Sequence, residues 1–176
     1  MTAAKLQPFN TVSNSDDELW ARIASNTPRP PIGKHVLIAG VFGLDNQLLK
    51  QLAELQGSTT ILTSVGEEAL QAAIKYRPDL IIVDVMGSRE FELGRILKGD
   101  VRTREIPLIG FSAQDEHLVV AAGYDEFVAK PIGIRNFGLL NFLKLLDKLL
   151  LPAKPIGIRN FGLLNFLKLL DKLLLP

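Results

Sequence analysis

The run Pro78-Asp79-Leu80-Ile81-Ile82-Val83-Asp84-Val85-Met86-Gly87 constrains this chain more than any other stretch. Apolar residues follow Asp79 without a break until a second carboxylate, Asp84, and a glycine closes the run at position 87. A short, wholly apolar, β-branched run between turn signals is what a strand covered on both faces requires, and such strands belong to parallel sheets. Open parallel sheets place their working residues just past the carboxyl ends of the strands. Asp84 stands at such an end. A capping role for Asp84, in a loop or at the next helix, is the competing reading, and the other strand ends must decide.

Around this run the chain alternates. His35-Val36-Leu37-Ile38-Ala39-Gly40 reads as a first strand, and positions 44, 48, 49, 52 and 55 give the following segment a helical period. Thr59-Thr60-Ile61-Leu62-Thr63 is a second strand, and a helix over 65–73 follows Ser64 with acidic residues in its first turn. After the strand ending at Asp84 come a helix over 91–97, a strand over 106–110, a short helix over 115–122 and a strand over 124–129. A fifth helix spans 134–151. The pattern predicts an α/β fold in three layers, a doubly wound sheet of five parallel strands flanked by helices. The runs ending at Gly40, Asp84 and Gly110 read as central strands and Asp125-Glu126-Phe127 as an edge. Periodicity does not reveal the strand order.

Composition closes off several chemistries. With no cysteine there is no disulfide and no thiolate site, and His35 and His117 stand too far apart to share a metal by spacing. Formal net charge is only +1, which gives no global pull toward nucleic acid. Residues 1–33 are rich in Ser, Asn, Thr and Pro and read as a flexible arm, with Trp20 and Ile23 on one face of a short helix begun by Ser15. The expected layout is this arm, a domain over 34–152 and a third segment over 153–176. No signal-peptide core or uncharged span of membrane length is legible, so a cytoplasmic location is expected.

The third segment is a copy. Residues 129–152 read AKPIGIRNFGLLNFLKLLDKLLLP, and residues 153–176 repeat the same letters without a substitution. Such identity is what a recent tandem duplication or an engineered joining leaves. It is too short to be a solenoid. Each copy carries four basic residues and one acidic, so the near-neutral whole combines a basic, Leu-rich tail with an acidic body over 1–128. The predicted helix is apolar over a wider arc than one sheet face covers. Its excess requires the other copy, a second chain or a membrane surface.

Three side chains now mark strand ends: Asp84, Ser112 and Lys130. A carboxylate, a hydroxyl and an ammonium around one point suit phosphoryl chemistry. Here the chain resembles the receiver domains of bacterial two-component response regulators, over 35 to 150. The likeness lies in RPDLIIVDVM (77–86), REIPLIGFSAQ (104–114) and AAGYDEFVAKPI (121–132). The resemblance implies a flavodoxin-like fold, with Asp84 as phosphoacceptor, Ser112 as the hydroxyl that follows phosphorylation and Lys130 as the paired lysine. By the same likeness Phe127 reorients with Ser112, Lys130-Pro131 is a cis bond, and the signalling face is the fourth helix, fifth strand and fifth helix.

The departures point away from catalysis. Receivers hold Mg²⁺ with an adjacent acidic pair after the first strand, but Gly40 and Val41 occupy those positions here. Asp45, inside the first helix, reads as a solvent-facing residue. Mg²⁺ tolerates little distortion of its oxygen ligands, and Asp84 alone is a poor site. The expected function is therefore a non-catalytic pseudo-receiver, with no cofactor, acting through a face built on Phe127, Val119 and Leu145. Its expected partners are proteins: a histidine kinase, another regulator or a second copy joined through the C-terminal helices. No nucleic-acid partner is expected. Three alternatives stand beside this. One is a working regulator that accepts phosphate at Asp84 with Mg²⁺, its missing acid supplied by Asp45 or Glu90. Another is an engineered or duplicated scaffold assembled by its helices, and the last is peripheral membrane association.

Overall fold

The computed structural model describes residues 30–40, 43–132 and 138–151, together with Ala21, Ser25 and Pro28. Most of the arm over 1–33, the position of Val41, the start of the fifth helix and the second repeat copy lie outside the described residues.

Five parallel strands form one sheet in the order β2-β1-β3-β4-β5: β1 His35–Ala39, β2 Thr59–Thr63, β3 Leu80–Val85, β4 Leu108–Ser112 and β5 Glu126–Ala129. The helices between and after them are α1 Leu44–Leu55, α2 Glu67–Tyr76, α3 Ser88–Gly99, α4 Glu116–Ala121 and α5 Gly138–Leu150. This is the doubly wound, three-layer arrangement expected from the alternation. The strand order reverses between β1 and β3, and there the crevice of such a sheet opens.

Two-sided burial explains the apolar run at the centre: every residue of β3 is buried. Alternation sends Ile81, Val83 and Val85 toward Ala69, Leu93, Leu97 and Val119 on one face. Leu80, Ile82 and Asp84 therefore point to the other, where α1 and α5 lie. Asp84 shares its sheet face with those two helices. That placement makes α5 part of the site's surroundings.

Several boundaries differ from the sequence expectation. Helix α3 begins at Ser88, not 91, because the Glu90 carboxylate accepts the Gly87 N–H at 2.7 Å and satisfies an otherwise orphan donor. Helix α2 begins at Glu67, while Ser64 is held by the Glu68 carboxylate through its N–H and its hydroxyl. Strand β4 starts after Pro107, and Ile106 closes a turn onto Thr103 O at 2.9 Å. Strand β5 starts after Tyr124 and Asp125. Asp125 Oδ2 accepts the Leu108 N–H at 2.8 Å, and Tyr124 Oη donates to Glu90 O at 2.6 Å.

Helix α5 buries Leu139, Leu140, Phe142, Leu143, Leu146 and Leu150. It lies against α1 and β5, and Gln56 Nε2 reaches Leu143 O at 3.4 Å. Lys148 pairs with Glu126 of β5 at 2.9 Å. Leu145 is half-buried. Among the described residues no helix is long and apolar enough to cross a membrane.

Candidate functional site

Asp84, Ser112 and Lys130 come from neighbouring strands at one sheet edge. Register aligns Asp84 with Phe111, Val85 with Ser112, and Ser112 with Ala129. The Lys130 N–H donates to Ser112 O at 2.8 Å, which carries the pairing one residue past β5. The bond from Lys130 to Pro131 is cis. Lys130 Nζ donates directly to Asp84 Oδ1, lies 3.0 Å from Asp45 Oδ2 and sits 4.9 Å from the centroid of the Phe111 ring. The Asp84 side chain is 5% exposed and that of Lys130 17%. Burial alone would lower the Lys130 pKa, but hydrogen bonds and charge from Asp84 and Asp45 outweigh it and hold the ammonium above its ordinary value.

The Ser112 hydroxyl takes a different course. It is fully buried, donates to Val85 O at 2.8 Å and accepts the Gln114 N–H at 2.9 Å. Its side chain therefore fixes the two loops after β3 and β4, while its carbonyl anchors Lys130.

Asp45 corrects the sequence reading. It is not a bystander in solvent but the second carboxylate on Lys130, half-exposed at the first turn of α1. Sequence distance concealed this, because 85 residues and the whole sheet order separate the partners. Sequence reasoning also passed over Asn46. It is 2% exposed and lies three residues before Leu49, on the buried stripe of α1. That spacing was the available signal.

Gly40 has little room for any side chain. A Cβ built there would come within 2.6 Å of Asp84 Cβ and 2.9 Å of Asn46 Nδ2. Val41, the other position of the lost acidic pair, lies outside the described residues. The buried Glu90 carboxylate is committed to the Gly87 N–H. Among the described residues no cluster of three or more acidic, His or Cys side chains could hold a metal ion. These residues do not fit the Mg²⁺ that the resemblance implies. Gly40 supplies no donor, and Asp84 and Asp45 already share the Lys130 ammonium.

Val119 requires a second correction. It is not on the exposed side of α4, where the expected interaction face would need it, but wholly buried, over Gly110, where a Cβ would meet Val119 Cγ1 at 2.3 Å. Its neighbours Leu118 and Val120 are the exposed large apolar residues of α4. Phe127 lies opposite Gly110 in β5 and is half-buried against the core.

No family model matches the chain. The polar-differentiation response regulator DivK of Brucella anthropi is 34% identical over 110 residues, spanning 59% of this chain and 89% of DivK. The chain belongs to the response-regulator receiver family. DivK of Brucella ovis matches the receiver at the same 34% identity. Among solved structures, the signal receiver domain of a histidine kinase from Syntrophus aciditrophicus superposes with a TM-score of 0.56 at 29% identity, covering 72% of this chain and 99% of that one. The chemotaxis response regulator CheY4 of Vibrio cholerae shares the fold, with a TM-score of 0.53 at 22% identity over 64% of this chain and 98% of its own.

Proposed function

We propose that this receiver is a pseudo-receiver, a protein-interaction module in signal transduction whose output does not require phosphoryl transfer to Asp84. The observation that carries this reading is the packing at Gly40. The place where a metal-binding carboxylate belongs is closed by Asp84 Cβ and Asn46. Charge on a transferring phosphoryl group needs a divalent cation beside the acceptor, and Lys130 alone does not replace one. The Lys130 ammonium instead clasps Asp84 and Asp45, joining the end of β5 to α1 and β3.

Output then runs through the face of α4, β5 and α5. Leu118 and Val120 are exposed there, Phe127 and Leu145 are half-exposed, and Lys148 and Glu126 form an ion pair at its rim. Exposed apolar residues with a charged rim suit a protein partner. The relatives include a response regulator and the receiver domain of a histidine kinase, which makes another protein of such signalling systems the partner class to test first.

A phospho-accepting regulator is the second reading. It is favoured by one observation, the Asp45 carboxylate 3.0 Å from Lys130, which brings a second acid to the site from an unexpected position. An intact-mass spectrum after incubation with acetyl phosphate and Mg²⁺ separates the two. The pseudo-receiver should show no adduct. A phosphoryl adduct that disappears in Asp84→Asn would establish the second reading.

A further inference from the structure

We infer that residues 153–176 are a second, competing occupant of the surface that α5 covers, so that Lys154 of the same chain can replace Lys130 at Asp84. Every contact that seats the first copy is made by a residue inside the repeated block. The Lys130 N–H bonds Ser112 O, and its ammonium bonds Asp84 and Asp45. Beyond it, Leu143 O takes the Gln56 side chain and Lys148 pairs with Glu126. Phe142, Leu143 and Leu146 are all but fully buried.

The second copy repeats each of these side chains in the same order and spacing: Lys154, Phe166, Leu167, Leu170 and Lys172. The receiving surface, made by α1, β3, β4 and β5, cannot tell two identical segments apart. Burial and hydrogen bonding are therefore equal for the two occupants. What distinguishes them is topology. Seating the second copy leaves residues 129–152 as a loop that departs from Val128 and returns at Ala153. Closing a loop of 24 residues disfavours that arrangement on the order of a hundredfold, since closure entropy grows only with the logarithm of length. The first copy therefore prevails in the unmodified chain, and the second takes over when the first is disabled.

The test uses full-length chains. Leu143→Asp with Leu146→Asp puts two charges at fully buried positions of the first copy. Leu167→Asp with Leu170→Asp makes the same change in the second, and a fourfold variant makes both. Far-UV circular dichroism, thermal unfolding and gel filtration are read on each. The first-copy variant should stay folded and monomeric with a cooperative transition at a lowered midpoint. The second-copy variant should match the unmodified chain, and the fourfold variant should fail to fold. A first-copy variant as unfolded as the fourfold one would overturn the inference. So would a concentration-dependent dimer of the first-copy variant, or a fourfold variant that remains folded.

Discussion

Gly40→Asp restores the side chain that a metal-binding receiver carries at this position, and its cost can be worked from the packing. The new Cβ falls 2.6 Å from Asp84 Cβ and 2.9 Å from Asn46 Nδ2, so the neighbours must move. Overpacking of this kind costs about 1–3 kcal/mol. A second carboxylate beside buried Asp84 adds like-charge repulsion of up to about 4 kcal/mol at close range near a protein surface. Lys130 lies within reach and offsets part of this, leaving roughly 2 kcal/mol as the working figure for the charge. Gly40→Ala isolates the steric cost, and Gly40→Asn gives nearly the size of Asp without its charge. The Asp variant should fall below the Asn variant at about pH 7 and converge with it near pH 4, where the added carboxyl is protonated. Urea unfolding followed by circular dichroism, with and without millimolar Mg²⁺, measures both. Equal stability of the Asp and Asn variants at neutral pH would refute the charge argument, and a Gly40→Ala variant as stable as the unmodified chain would refute the packing argument. So would Mg²⁺ stabilising the Asp variant, because a ligand that binds only the folded state must raise its stability.

Three further outcomes follow from the same contacts. Gly110→Ala drives a methyl to 2.3 Å from Val119 Cγ1 and should lower stability by about 1–3 kcal/mol, while Leu118→Ser on exposed α4 should be nearly neutral; the urea midpoints compare them. Tyr124→Phe leaves Glu90 O without its 2.6 Å donor and should cost about 1 kcal/mol or somewhat more, read by calorimetry. The folded-state pKa of Lys130 is raised above 10.5, so its contribution is complete below that pH and is lost as pH rises through the folded value. The alkaline limb of a stability–pH curve should therefore flatten in Lys130→Met combined with Lys154→Met, and an unchanged limb would count against the clasp.

Much of this receiver was legible before its structure. The unbroken apolar run through β3 announced a buried parallel strand, because no half-exposed strand tolerates that composition. The edge position of β5 and the centrality of β1, β3 and β4 followed from the same hydrophobic contrast. Boundaries were less legible, since they depend on single side chains such as Glu90 and Asp125 that bond backbone donors at strand and helix ends. Val119 was misplaced for a related reason. In a helix as short as α4, one residue of rotation decides whether Val119 or its neighbours face Gly110.

The sequence by itself determined the alternation of strands and helices, the absence of an acid at position 40, and the repeat whose two copies are chemically indistinguishable. These are properties of the chain's order, which folding cannot alter. Only the tertiary structure decided that Asp45 and Asn46 join Asp84, that Ser112 spends its hydroxyl on main-chain partners, and that Lys130 ties two carboxylates together. Those relations depend on strand order and register, which bring residues far apart in sequence within 3 Å and which no local pattern encodes.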